Sequence, residues 1–362
     1  MYMKICHVEL GRHLYGGAKQ VTYLVEGLAN LEGFEQHLIC AAGSEIASAH
    51  LPGCAIHALP YSGELDITFV FRLVKLLRVL QPDVLHIHSR RGADVWGSMA
   101  AIRTGIPTVC TRRVDNPEHR LNRFKYAPFK AVISISEGVQ RVIAPLCKSG
   151  QLQNVIHSAV DLKEYACVPD KARFHAEFNI PLDHTVIANF AQLIPRKGQQ
   201  DLIDAMPQVL DQFPKVTCLL FGKGKQLDAY RERIISLGLA SHVRLCGFRH
   251  DVPRLLPNID LMVHPAHAEG LGVILLQAGA CGIPVISCPS GGIPEIIQHH
   301  KTGFLVPVNS PNDLASQICV ALENPSLTRQ TGLALYEHIK RQFSIESMTL
   351  AYADIYQSLT FK

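Results

Sequence analysis

The chain has 362 residues, 48% of them hydrophobic and 18% charged, which suits two globular domains and excludes a disordered polypeptide. No apolar run is long enough to cross a bilayer as a helix, and the N-terminal residues lack the apolar core of a signal peptide. The net charge of +4 is unevenly placed: residues 1–165 carry 18 basic against 14 acidic residues, and residues 166–362 carry 17 of each.

The first half alternates short apolar strands with amphipathic helical stretches, the pattern of a parallel α/β sheet. Strands are expected at Lys4–Val8, His37–Cys40, Val84–His88, Thr108–Thr111 and Ala131–Ile135, and helices at Lys19–Leu31, Ile67–Leu80 and Ala93–Thr104. The second half begins the pattern again, with strands at Val186–Phe190, Val216–Phe221, Val243–Cys246, Leu261–His264 and Val285–Ser287. Two such runs predict two doubly wound domains with a cleft between them, residues 1–165 and 166–343. Polar and proline residues between Ser158 and Pro181 mark the junction. The last helical stretch, Ile345–Phe361 within residues 344–362, has no strand after it and is expected to pack back on the first domain.

Eleven cysteines are scattered without a Cys-x-x-Cys pair. That spacing argues against a disulfide framework or a zinc site and for reduced thiols in the cytoplasm. The basic excess is concentrated between Arg103 and Lys130, where seven basic residues face only Asp115 and Glu118. Such a region suits an anionic surface such as phospholipid at the inner face of the plasma membrane, or a phosphorylated acceptor; a solvated face is the plainer reading.

Several clusters sit where strands hand over to helices, the edge at which α/β sheets bind ligands. Gly11-Arg-His-Leu-Tyr-Gly16-Gly17 precedes the first helix, and its paired glycines allow a ligand close to the backbone and to free helical N–H groups, though a plain tight turn would use them too. It is not Gly-x-Gly-x-x-Gly, so a nicotinamide dinucleotide is not indicated. Pro82-Asp-Val-Leu-His86-Ile-His88-Ser-Arg90-Arg91 ends a strand, and alternation puts His86 and His88 on one face, with His88 nearest the edge. Gln192-Leu-Ile-Pro-Arg196-Lys197-Gly198 places adjacent cations at a helix start, a strong anion site. Phe221-Gly222-Lys-Gly224 is a second glycine turn, suited either to a flat base or ribose or simply to the turn.

The densest cluster is His264-Pro-Ala-His-Ala-Glu269-Gly270-Leu271-Gly272-Val273, followed by Gln277, Gly282, Pro284 and Ser290-Gly-Gly-Ile-Pro-Glu295. Glycines lead from Glu269 into a helix whose first N–H groups are free for a diphosphate, and Gln277 lies in its second turn.

This last run resembles glycosyltransferase family 4, the retaining two-domain transferases of GT-B fold, and the other clusters fall in family order. The resemblance implies that Gly16 and Gly17 shape a loop between donor phosphates and acceptor, and that His88 contacts the transferred sugar or the reacting centre. It implies further that Arg196 and Lys197 hold the diphosphate, that Glu269 binds donor sugar hydroxyls, and that Gly222, Gly270, Leu271, Gly272, Val273 and Gln277 complete the donor site. The second family Glu is replaced by Gln277, and the family's Gly-Arg after the strand by Ala191-Gln192, which leaves the diphosphate to Arg196 and Lys197.

The implied protein is a metal-independent, retaining hexosyltransferase with no cofactor. It would take a UDP- or GDP-linked sugar to a glycan or glycolipid hydroxyl in lipopolysaccharide or envelope polysaccharide synthesis. It would be cytoplasmic, in peripheral contact with membrane, with no nucleic acid partner. A sugar-nucleotide epimerase of the same fold and a non-catalytic nucleotide-sugar-binding protein are the alternatives, the second suggested by Gln277.

Overall fold

The computed structural model describes residues 2–14, 16–90 and 92–360. Tyr15 and Arg91, members of two motifs above, and Phe361, the expected end of the last helix, lie outside the described residues. The chain divides into two compact units, Met1–Ala159 with Ile345–Lys362, and Val160–Ser344.

In the first unit the elements are β1 (Met3–Glu9), α1 (Gly17–Ala29), β2 (Phe34–Ala41), β3 (Cys54–Leu59), α2 (Phe69–Leu80), β4 (Val84–Ile87), α3 (Ala93–Thr104), β5 (Thr108–Arg112), α4 (Arg123–Tyr126), β6 (Ala131–Ser134), α5 (Glu137–Ile143) and β7 (Leu152–Val155). Over the described residues the seven strands form one sheet in the order β3-β2-β1-β4-β5-β6-β7, with every pairing parallel. Strand order reverses between β1 and β4, so the loops after those strands diverge and leave a crevice at the carboxyl edge.

Alternation splits the strand residues between two cores. Cys6, Val8, Leu85 and Ile87 pack with Leu73 and Leu77 of α2 and Trp96 of α3. Ile5, Val84, Val109 and Ile133 pack on the opposite face with Leu24 and Leu28 of α1 and with Tyr352 and Tyr356 of the C-terminal helix Ile345–Thr360. That helix needs Gly27 in α1, where any Cβ would lie 2.0 Å from Thr349 Oγ1.

In the second unit follow α6 (Lys171–Glu177), β8 (Thr185–Phe190), α7 (Gln199–Gln212), β9 (Val216–Phe221), α8 (Leu227–Ser236), β10 (Val243–Gly247), α9 (Val252–Leu255), β11 (Leu261–His264), α10 (Val273–Ala280), β12 (Val285–Ser287), α11 (Ile293–Ile296), β13 (Phe304–Leu305), α12 (Pro311–Glu323) and α13 (Pro325–Gln342). Its sheet runs β10-β9-β8-β11-β12-β13, again all parallel, and reverses between β8 and β11. Leu202, Met206 and Val209 of α7 and Leu314 and Ile318 of α12 close one face of it.

Both boundaries differ slightly from those expected at 165/166 and 343/344. Val160 forms a parallel bridge with Ser344, and its N–H donates to the Phe343 carbonyl at 3.0 Å. The chain therefore enters and leaves the second unit through one pair of extended residues.

Candidate functional site

The expected chemistry of the second unit converges at its switch point. After β8 the chain forms a short turn, Pro195–Lys197, and then Gly198, whose φ of 70° lets α7 begin. After β11 it runs through Glu269 to Gly272 and into α10. The two loops are docked by backbone: the His267 N–H donates to the Arg196 carbonyl at 2.9 Å, and a Cβ on Gly198 would lie 1.9 Å from the Pro265 carbonyl oxygen. His267 Nε2 also meets Asp201 Oδ2 of α7 at 2.7 Å.

This docking brings Lys197 to Glu269, whose Oε2 accepts from the ammonium and lies 3.1 Å from His264 Nε2. Both partners of the ion pair are largely buried, with side chains 12% and 15% exposed. Burial pushes the Glu269 carboxyl up, but the His264 hydrogen bond and the Lys197 charge outweigh it and hold the pKa at about 2. Glu269 is therefore ionised at neutral pH. Burial lowers His264, against the opposing pull of Glu269, which favours a neutral ring donating Nε2–H to the carboxylate. Its Nδ1 has no hydrogen-bond partner among the described residues.

The Ser290-Gly-Gly turn holds the same loop from beneath. Ser290 Oγ donates to the Ala266 carbonyl at 2.7 Å and Gly292 N–H to the Glu269 carbonyl at 3.3 Å. Gly291 has φ 56°, and a Cβ there would lie 1.6 Å from the Glu269 oxygen. The glycines after β12 thus fix the Glu269 backbone.

Gly272 opens α10 in the left-handed region, φ 96°, with no side-chain cap and no acid in the first turn. The Leu275 N–H is taken by the Gly272 carbonyl at 2.8 Å, and the earlier N–H groups of that turn, with their partial positive charge, face its open start. Leu271 is 1% exposed, so its side chain belongs to the core and only its backbone is open to a ligand. Gly270 is buried, Val273 and Gln277 are partly exposed, and Gln277 approaches the buried Tyr165 phenol. Gly222 and Gly224 turn tightly after β9. A Cβ would meet the Ala191 carbonyl oxygen at 1.8 Å and the Leu193 carbonyl oxygen at 2.2 Å, so packing against β8's loop already requires both glycines.

In the first unit, Gly16 precedes α1 with φ 56° and no side-chain cap, and Gly17 is its first residue. His88 follows β4 and shares a face with His86, but it is 1% exposed. Its Nε2 meets His7 Nδ1 at 2.9 Å, and its Nδ1 has no partner among the described residues. Burial, then the neighbouring histidines and Arg113, push its pKa well below the ordinary value, so the ring is neutral. His86 is held from both sides, by Tyr356 Oη at 2.5 Å and Thr111 Oγ1 at 2.7 Å. Nitrogens of His7, His86 and His88 all lie within 4.8 Å of one another, a hydrogen-bonded knot binding β1 and β4 to the C-terminal helix. The structure buries His88 with these histidines instead of grouping it with open polar residues.

Sequence reasoning included His264 and His267 in the Glu269 run without giving them a role, and it missed Asp201 and Tyr165. Only His264 had a local signal, at a strand end five residues before Glu269; the others come together through the fold.

Two family models match the chain: "Glycosyltransferase Family 4" over residues 15–164 and "Glycosyl transferases group 1" over residues 170–338. The N-acetyl-alpha-D-glucosaminyl L-malate synthase of Bacillus anthracis is 25% identical over 301 residues, 80% of this chain and 78% of that protein. The lipopolysaccharide core biosynthesis glycosyltransferase LpsE of Rhizobium meliloti is 24% identical over 371 residues, 98% of this chain and 99% of its own length. Among solved structures, Anabaena HepE in complex with UDP and glucose superposes with a TM-score of 0.84 at 21% identity, covering 99% of this chain and all of that one. Nothing in these comparisons supports the epimerase alternative. Both halves are matched by the models and both carry the doubly wound sheet, and the chain belongs to the family 4 glycosyltransferases of GT-B fold and is a glycosyltransferase.

Proposed function

We propose that the chain moves a sugar from a nucleoside diphosphate to a hydroxyl of a bacterial envelope glycan or glycolipid, with retention of anomeric configuration. The second unit binds the donor and the first the acceptor. The observation that carries this reading is the ionised Glu269 held between Lys197 and His264 beside the uncapped start of α10.

A diphosphate at that helix start would be met by the N–H groups of Gly272 and Val273, by Lys197 and by Arg196. These groups are fixed before the reaction and stabilise charge as it develops on the leaving phosphate, the task a divalent ion performs in other transferases. Glu269, ionised and pinned by His264, accepts hydrogen bonds from sugar hydroxyls. Gln277 takes the ribose hydroxyls as acceptor and donor. The acceptor hydroxyl attacks the anomeric carbon on the face the diphosphate leaves; the C–O bond to phosphate breaks, and a departing phosphate oxygen takes the hydroxyl proton. His88, buried and neutral, acts in this reading as a positioning residue. LpsE and HepE support an envelope glycan acceptor and a uridine donor respectively, by what those proteins are named for and bind.

Titrating UDP-glucose and GDP-mannose by calorimetry, then following the anomeric proton of any product by NMR, tests this reading. Binding of one donor and a product of unchanged anomeric configuration are expected. A product of inverted configuration, or binding of neither donor class, contradicts it. Gln277→Glu is expected to keep the fold and to bind the nucleotide as tightly or more tightly. A weaker nucleotide affinity in calorimetry would show that Gln277 does not hold the ribose.

We propose further that the acceptor is met at an anionic bilayer by the region from Arg103 to Lys130. Arg112 and Lys125 are not available for this, being buried in ion pairs with Glu118 and Asp94. Arg103, Arg120, Arg123 and Lys130 are exposed, and so are Ile102, Leu121 and Phe124 beside them. Among the described residues no helix is long and apolar enough to cross a membrane. Sedimentation with vesicles should show binding to anionic lipid that falls as salt rises. Equal binding to neutral vesicles would remove the electrostatic account.

A further inference from the structure

The three buried histidines of the first unit are held in different ways, and the difference fixes where their protons sit. His7 of β1 stands directly across from His86 of β4, and His88 follows two residues on, so all three share one face of the sheet. Burial lowers the pKa of each, His7 to about 4, so the rings are neutral at neutral pH. A neutral imidazole has one N–H and one bare nitrogen, and its partners decide which is which.

Both nitrogens of His86 are engaged, by Tyr356 Oη and Thr111 Oγ1, and its ring lies against that of His88 with centroids 3.6 Å apart. His86 therefore walls the His88 ring in. His7 Nδ1 and His88 Nε2 are 2.9 Å apart and share one hydrogen, which leaves His7 Nε2 and His88 Nδ1 as the two ends of the pair. Neither end has a hydrogen bond of ordinary geometry among the described residues.

At the His7 end stands Gln36 of β2, itself buried. Ile5 pairs with Gln36 and His7 with Leu38, so His7 and Gln36 are diagonal neighbours on one face. Gln36 Nε2 donates to the Val25 carbonyl at 2.9 Å, which fixes the amide with its oxygen as the free end, and that oxygen is buried without another partner. After burial, the largest influence on His7 is this side chain, which favours the charged ring as only an acceptor would. Two proton assignments compete. With the hydrogen on His7 Nε2, the N–H faces the Gln36 oxygen, His7 Nδ1 accepts from His88 Nε2–H, and His88 Nδ1 is bare. The reverse sets a His7 lone pair against the Gln36 oxygen and leaves His88 Nδ1–H a buried donor with nothing to meet, which is the costlier arrangement.

We infer that His7 and Gln36 are positioning residues for His88: the Gln36 amide oxygen sets the His7 tautomer, His7 sets that of His88, and His88 Nδ1 is thereby presented as an acceptor for a substrate hydroxyl. This rests on the reading above that His88 positions the sugar.

Nitrogen NMR of the full chain labelled at its histidines, with no substrate present, reads the tautomer of each ring. His7 and His88 are both expected to carry the proton on Nε2, and Gln36→Leu should move His88 toward a mixture of tautomers. Gln36→Leu and His7→Leu should each lower kcat about tenfold, the worth of one hydrogen bond, without changing the affinity for UDP or GDP. His7→Asn, whose amide oxygen can stand where Nδ1 stands, should restore most of the loss. His88 found with its proton on Nδ1 overturns the inference, and so does a Gln36→Leu variant with the tautomers and kcat of the wild type. Should the leucine variants fail to fold, the wild-type tautomers still decide. The underlying reading fails separately: normal transfer by His88→Ala would remove His88 from the reaction, whereas the tautomers are read without any reaction.

Discussion

Lys197→Ala is expected to lower kcat/KM for the donor by about two orders of magnitude, the usual cost of removing one fixed group that stabilises a charged leaving group. The reason is geometric as well as electrostatic. Lys197 is held by the Pro195–Lys197 turn, which the His267 N–H secures through the Arg196 carbonyl, so the ammonium is in place before a ligand arrives. Its loss removes the cation and also releases Glu269, whose carboxylate keeps His264 as its side-chain partner among the described residues. The fold should survive with a lowered Tm, because removing one partner of a buried ion pair costs about 3–5 kcal/mol while Glu269 keeps its hydrogen bond from His264. Steady-state kinetics with a matched thermal melt would check both halves of this expectation. Unchanged donor affinity would remove Lys197 from the phosphate site. A double-mutant cycle with Glu269→Gln should show strong coupling, since each residue restrains the other.

Gly291→Ala should be more damaging than its size suggests. The residue sits at φ 56°, where a Cβ costs about 1–2 kcal/mol, and that Cβ would meet the Glu269 carbonyl oxygen at 1.6 Å. The overlap must be relieved by moving the loop, adding about 1–3 kcal/mol, and moving the loop displaces Glu269. A Tm lowered by several degrees and a near loss of transfer are expected together. Gly238→Ala is the control: it has φ 68° but nothing within 4 Å of the added Cβ. It should bear the backbone cost alone and keep its activity. Normal donor turnover by Gly291→Ala would refute the claim that the glycine turn positions Glu269.

The strands that build the switch points were legible because they are buried on both faces and read as continuous apolar runs. Val84–Ile87 and Leu261–His264 are of this kind. The edge strands β3 and β7 were not expected, since CAIHAL and LQNV alternate partly exposed residues and lack such a run. Site residues were legible where glycines or adjacent cations mark a helix start, as at Arg196-Lys197 and Glu269–Gly272. Their convergence could not be read from spacing, because Lys197 and Glu269 are 72 residues apart in sequence, and only the family resemblance grouped them in one donor site. Spacing could place His86 and His88 on one face, but not show that β1 contributes a third histidine and buries all three. The basic region illustrates the same limit: charge counting treats Arg112 and Arg123 alike, and only the fold shows that Arg112 is buried in an ion pair.

The central claim, a sugar moved from a nucleotide donor with retention, is tested most directly by NMR of the purified chain with UDP- and GDP-linked sugars and an envelope glycolipid extract. The account predicts release of nucleoside diphosphate with a new glycosidic anomeric signal of the donor's own configuration, slowed about a hundredfold by Lys197→Ala. Stoichiometric donor binding without any diphosphate release, or a product of inverted configuration, would contradict it.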